Sequence, residues 1–166
     1  MDIVEARLLL KSLVRSKNLV KHSIMMSYIM REIALLLEDD ADEWEICGLL
    51  HDIDLPQVVL NYELHGVIAS EILKNEGVSE RIISAITHHE KVKEDRTEPM
   101  EIVLYTLEKM MRNFPEGEFL QNLSFPEDKV FLEYLNLEEE DFIEAIKRGI
   151  KEFLNDYKVG GLEDEV

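Results

Sequence analysis

Gly48-Leu49-Leu50-His51-Asp52-Ile53-Asp54 is the stretch on which the reading of this chain turns. His51 follows Cys47 and Gly48 at i−4 and i−3 and Trp44 at i−7, which is the inward stripe of a helix expected over residues 42–52. A buried imidazole brings a ring N–H and a bare ring nitrogen, and both need partners. Asp52 comes next at the helix end and sets a carboxylate beside that imidazole. Neutral imidazole is the commonest metal ligand, and a carboxylate oxygen can bridge two ions.

Outward from this stretch, the apolar periodicity is helical almost throughout. Helices are expected near 2–15, 18–37, 42–52, 62–75, 79–90, 99–113, 127–135 and 138–157. Asn18, Asp42 and Ser79 are the candidate N-caps, and Gly77 stands where a left-handed residue ends a helix. Pro56 reads as a break, and Val92–Glu98 and Asn113–Pro126 read as loops.

All five histidines, His22, His51, His65, His88 and His89, lie in the first 89 residues. His22 shares a face with Leu19, Met25, Met26 and Ile29, His65 with Ile68, Ala69 and Ile72, and His89 with Ile82, Ala85 and Ile86. Four imidazoles on four expected helices therefore point inward, while His88 falls on a flank. Convergence on a metal satisfies them better than packing does, although each taken alone reads as a half-buried polar residue. Cys47 and Trp44 read as core, and Ser23 as helix surface.

Composition limits the alternatives. With 36 acids against 18 bases, a net charge of −18, the chain is a poor match for a nucleic-acid track, which needs Lys and Arg on phosphates. The longest charge-free run, His22–Met30, is nine residues, well short of the ~20 apolar residues a spanning helix needs. The start, Met1-Asp2-Ile3-Val4-Glu5, lacks a basic-then-apolar leader, so a soluble, cytoplasmic protein is expected. Cys47, the single cysteine, excludes an intrachain disulfide framework. The charge is uneven: six bases and two acids over residues 1–31, then nine acids and no base over 32–54. A small anionic ligand thus remains compatible with the N-terminal part.

Val20-Lys21-His22-Ser23, followed 29 residues later by His51-Asp52 in a Leu-Leu-His-Asp-Ile context, resembles the HD superfamily of metal-dependent phosphohydrolases. Leu64-His65-Gly66 and Ala85-Ile86-Thr87-His88-His89-Glu90 extend the resemblance to the small HDIG-type branch of predicted HD hydrolases and symmetrical dinucleoside tetraphosphate hydrolases. His-His-Glu is also similar to the cyclic-di-GMP phosphodiesterase branch, but no Gly-Tyr-Pro follows. The likeness covers roughly residues 15–113. It implies an all-α HD-domain helical bundle over 1–113 and a helical extension over 114–157 packed on it; Gly160-Gly161 and the three acids after them read as a flexible tail over 158–166.

The resemblance also implies a ligand set. His22, His51 and Asp52 would serve one ion, and Asp52, His65 and His89 a second. The family closes its motif with Asp in a Leu-Tyr-x-x-Asp-like helix, whereas this chain has Glu108 after Leu104-Tyr105-Thr106-Leu107. Glu108 is either a ligand or the partner of Arg112 at i+4. Asp54 stands where several branches carry Gly or Ala; it either orients a ligand histidine or caps the turn at Pro56. Imidazole-rich ligation suits one or two Fe, Mn, Co, Ni or Zn ions better than Mg. A bound divalent ion lowers the pKa of water toward ~7 and so supplies a hydroxide nucleophile. Asp52 and His88 are the expected catalytic residues, with His88 as proton donor or phosphate contact. Lys21 and Lys91 are candidate phosphate contacts, as is Lys93, or they only serve solubility. The expected substrate is a small, nucleotide-like phosphoester or phosphoanhydride. The rival readings are a non-catalytic metal- or nucleotide-binding regulatory module on the same fold, and an acidic helical interaction module with structural histidines.

Overall fold

Asp2 opens the first helix with a reciprocal cap: its side chain accepts the Glu5 N–H at 2.9 Å, and the Glu5 carboxylate accepts the Asp2 N–H at 2.8 Å. In this computed structural model, which describes residues 1–90, 96–111 and 129–159, one helix then follows another. They are α1 (Ile3–Leu13), α2 (Lys17–Leu36), α3 (Ala41–Leu50), α4 (Leu55–Val58), a 3-10 turn (Tyr62–Leu64), α5 (Val67–Asn75), α6 (Glu80–His88), α7 (Pro99–Met111), α8 (Val130–Leu135) and α9 (Glu139–Val159). No strand occurs among the described residues, so the all-α class read from the periodicity is the class adopted. None of the described helices is long and apolar enough to cross a membrane.

Helix α2 is the central element, with α3 along one side and α9 along another; α6 packs on α3, α5 and α7. Glycines allow the close approach of α3 and of α9 to α2. A Cβ on Gly48 of α3 would stand 2.8 Å from the Met26 carbonyl oxygen, and one on Gly149 of α9 would stand 2.7 Å from Ile29 Cα. Around these contacts Met26, Ile29, Met30 and Ile33 of α2, Trp44, Leu49 and Leu50 of α3, and Phe142, Ile146 and Phe153 of α9 close a continuous core. The Trp44 indole N–H keeps a partner, donating to Asp39 at 3.0 Å. Cys47 is fully buried, and burial pushes its thiol well above the ordinary range, so it packs as a small hydrophobe.

Several expectations need correction. Ser16, not Asn18, caps α2, its hydroxyl accepting the Leu19 N–H at 3.4 Å; Asn18 already lies inside the helix. Asp40, not Asp42, caps α3 and accepts from the Asp42 and Glu43 N–H groups at 3.1 Å each. In both cases neighbouring residues of capping type compete, and backbone conformation decides between them. Ser79 caps α6 and Gly77 is left-handed at φ 69°, as expected. Pro56 lies in the first turn of α4, where its missing N–H costs nothing, rather than in a break. The continuous helix expected over 62–75 is split: Gly66 takes φ 79°, and a Cβ there would stand 2.8 Å from the Thr87 carbonyl oxygen. Ser23 is buried beneath the α2 surface rather than exposed on it. The loop 113–126, most of the loop 92–98, Arg112 and the tail from 160 onward lie outside the described residues; α9 itself reaches Val159.

Candidate metal centre

The four inward histidines arrive by three local routes: a helix face, two helix C-termini and a turn. His22 projects from α2, and His51 caps the C-terminus of α3, brought against α2 by the Gly48 contact. His65 comes from the turn before Gly66, not from a helix face, and His89 caps the C-terminus of α6. Glu108 comes from α7. Asp52 follows His51 in the turn after α3.

Two three-residue groups result. His22, His51 and Glu108 form one, and Asp52, His65 and His89 the other; within each group the ligand-type atoms all lie within 4.8 Å of one another. Asp52 joins the two groups. Its Oδ2 is 3.2 Å from His51 Nε2 and 3.7 Å from His22 Nε2, while its Oδ1 is 3.3 Å from His65 Nε2 and 3.6 Å from His89 Nε2. Glu108 Oε1 stands 3.1 Å from His51 Nε2 and 3.7 Å from His22 Nε2, and those two nitrogens are 3.2 Å apart. His51, His65 and His89 are buried, whereas the His22 side chain retains 23% of its exposure and forms the open side of the cluster.

Ring orientation decides what these distances mean. His51 Nδ1 lies 2.7 Å from the Gly48 carbonyl and His89 Nδ1 lies 2.6 Å from the Ile86 carbonyl. A carbonyl only accepts, so both Nδ1 atoms donate, and a neutral ring then presents a bare Nε2 lone pair to the cluster. Lone pairs and carboxylate oxygens thus face each other at 3.1–3.7 Å. That arrangement is repulsive unless a metal ion lies among them or the imidazoles take up protons. His65 Nε2, His89 Nε2 and Glu108 Oε1 are accordingly buried with no hydrogen-bond partner. An ion with bonds of about 2.1 Å separates neighbouring ligand atoms by about 3.0–3.4 Å, close to the spacings seen, so the residues present fit a divalent ion.

Proton affinities tell the same story. Burial pulls the His51 pKa down, but the Asp52 and Glu108 carboxylates outweigh it and hold the group well above its ordinary value. Burial likewise opposes His65, yet Asp52 and Asp54 raise it to about 9. Burial pushes Asp52 and Glu108 up, and the surrounding imidazoles bring both below the usual carboxylate range. The pocket calls for positive charge, and protons on imidazoles can meet that demand as well as a metal can.

The remaining candidates lie elsewhere. His88 donates from Nδ1 to the Ser84 carbonyl at 3.0 Å and stands outside both groups. The Lys21 ammonium lies 5.2 Å from the centroid of the Tyr157 ring, on the α9 side of α2. Lys91 and Lys93 are outside the described residues. Asp54 takes the first of the two roles read for it: it is completely buried and bonds His65, and its side chain does not cap the turn at Pro56. Two features escaped sequence reasoning. Tyr62 lies with its ring centroid 5.1 Å from that of His65, and its hydroxyl donates to Glu90. Arg96 donates to the His88 carbonyl at 2.5 Å and stacks on Tyr105, 3.9 Å from the ring centroid.

Against known families, the HD domain model matches residues 19–118, more than half of the chain and all of the residues in both groups. Comparison with curated proteins and with solved structures gives no match.

Proposed function

Because the chain belongs to the HD-domain family, we propose that it is a metal-dependent phosphohydrolase acting on a phosphoester or phosphoanhydride of a small, nucleotide-like molecule. The observation that supports this most is the set of inward lone pairs. Acceptor atoms of six side chains converge at 3.1–3.7 Å, and the His51 and His89 ring protons are already committed to carbonyls. Asp52 would serve both ions, one through each oxygen, with His22, His51 and Glu108 on one side and His65 and His89 on the other. Divalent ions there would supply Lewis acidity toward a phosphoryl oxygen and acidify a water to near neutrality. The two carboxylates among the ligands carry only −2, so a site loaded with two divalent ions keeps a surplus positive charge for an anionic substrate. His88, whose Nδ1 donates to the Ser84 carbonyl, would contact a substrate phosphate or, as imidazolium with a second proton on Nε2, would give that proton to the leaving oxygen. The nucleotide-like substrate class rests on the likeness of the Ala85-Ile86-Thr87-His88-His89 segment to dinucleoside tetraphosphate hydrolases.

The test is elemental analysis of protein purified without chelator, followed by phosphodiesterase and phosphoanhydride assays of the metal-replete protein. Transition metal bound with hydrolysis that chelation abolishes is the expected result. Metal without hydrolysis of any phosphoester or phosphoanhydride would turn the reading to a non-catalytic regulator. Metal-free protein whose stability is unmoved by exhaustive chelation would leave only an interaction module.

A further inference from the structure

Asp54 is completely buried, yet none of the catalytic or ligand roles above uses it. Its Oδ2 accepts the backbone N–H groups of Gly66 at 2.9 Å and Ala69 at 3.0 Å, while its Oδ1 lies 2.7 Å from His65 Nδ1. Imidazole is a far stronger base than a carboxylate, so the shared proton resides on Nδ1 and Nε2 is left bare. His51 and His89 obtain the same ring state from neutral carbonyls of their own helices. His65 has no helix of its own: it sits in a turn, before a left-handed glycine. An acid eleven residues upstream therefore does for it what a helix does for the others.

We propose that Asp54 is the positioning residue of the Asp52/His65/His89 group: it locks the His65 ring in the Nδ1–H state and, through Gly66 and Ala69, fixes the turn that aims Nε2 at Asp52. A charged acceptor also makes Nε2 a stronger electron donor than a neutral carbonyl would. This rests on the metal-centre reading above.

Asp54→Asn separates ring control from capping. If the amide oxygen keeps the Gly66 and Ala69 N–H groups, its NH2 faces Nδ1 and drives the ring proton onto Nε2. Turned over, the NH2 meets two N–H donors. Zinc titration of wild type, Asp54→Asn and His65→Ala should show one binding event weakened 10- to 100-fold in Asp54→Asn, with the His22/His51/Glu108 event retained. Histidine nitrogen–proton NMR of the zinc-loaded wild type needs no variant. It should place the His65 proton on Nδ1, downfield of those on His51 and His89. A zinc-loaded wild type with the His65 proton on Nε2, or wild-type zinc affinity in Asp54→Asn with weakened binding in His65→Ala, would overturn the assignment. Unchanged binding in His65→Ala as well would instead overturn the metal-centre reading of His65. An Asp54→Asn chain that fails to fold leaves the wild-type spectrum to decide.

Discussion

Gly48→Ala tests whether the α2–α3 approach builds the site. The new Cβ would lie 2.8 Å from the Met26 carbonyl oxygen and 2.9 Å from Ser27 Cα. Relaxed carbon contacts are about 3.5–4.0 Å, so the two backbones must part locally by roughly 0.6–1 Å. The atoms met are backbone, and no flexible side chain can turn aside. Overpacking of this kind costs about 1–3 kcal/mol, against about 1 kcal/mol gained by replacing glycine within a helix. The balance is a loss of up to about 2 kcal/mol, or up to about 8 °C in melting temperature for a chain of this size. The same displacement opens the 3.2 Å separation of His22 and His51 Nε2 beyond the about 3.0–3.4 Å that one ion spans. Thermal melts of metal-free protein and zinc titrations should therefore fall together, with affinity reduced ~10-fold or more. Gly149→Ala is the control. Its Cβ would stand 2.7 Å from Ile29 Cα, on the α9 side, so it should lower the melting temperature with little effect on zinc binding. A Gly48→Ala protein as stable as wild type, with undiminished affinity, would refute the reasoning.

His89→Ala should weaken metal binding by at least 10-fold, and His88→Ala should spare it while altering turnover; metal-occupancy measurements showing the reverse would dissolve the distinction between them. Glu108→Gln keeps size and removes charge, so it should weaken metal affinity and hydrolysis together, whereas Glu108→Asp should keep metal and shift the rate. A loss confined to ~0.5 kcal/mol of stability, with calorimetric metal binding intact, would reduce Glu108 to an ordinary ion-pair residue. Arg81 hydrogen-bonds Asp39 and holds its carboxyl down at about 2 from an ordinary 3.8. Because the folded pKa is the lower one, this stabilisation is complete above about pH 3.8 and is lost as the pH falls through about 2. Screening of a partly exposed pair limits it to the order of 1 kcal/mol. Urea melts over that range should show a flatter acid limb in Arg81→Ala; parallel limbs would deny the pair its role.

The helical class and the convergence of His22, His51 and His89 were legible because each lies on or at the end of a helix and has apolar neighbours three or four residues away. Glu108 was legible as an inward position through Leu104, Tyr105 and Met111, but the nearness of Oε1 to His51 depends on how α7 sits in the bundle, which no local pattern records. His65 was placed inward by the wrong device. The expected face of Ile68, Ala69 and Ile72 does not exist as drawn, because Gly66 breaks the helix where it meets the end of α6. Asp54 was legible only as a pair of alternatives, since its partners lie 11–15 residues away across that break. The caps at Ser16 and Asp40 were missed for a simpler reason: periodicity says where a helix is, while backbone angles at one residue say where it starts.

The grip of Gly48 and Gly149 on α2 has a mechanical consequence. Held at backbone distance on both sides, α2 has no sideways slack; it can only slide or roll, and either motion would collide with its neighbours. His22, which projects from that clamped helix, is therefore held by the backbone itself. His65 stands in a turn and has no such clamp, so its position depends on side-chain hydrogen bonds, those of Asp54 to the His65 ring and to the Gly66 N–H.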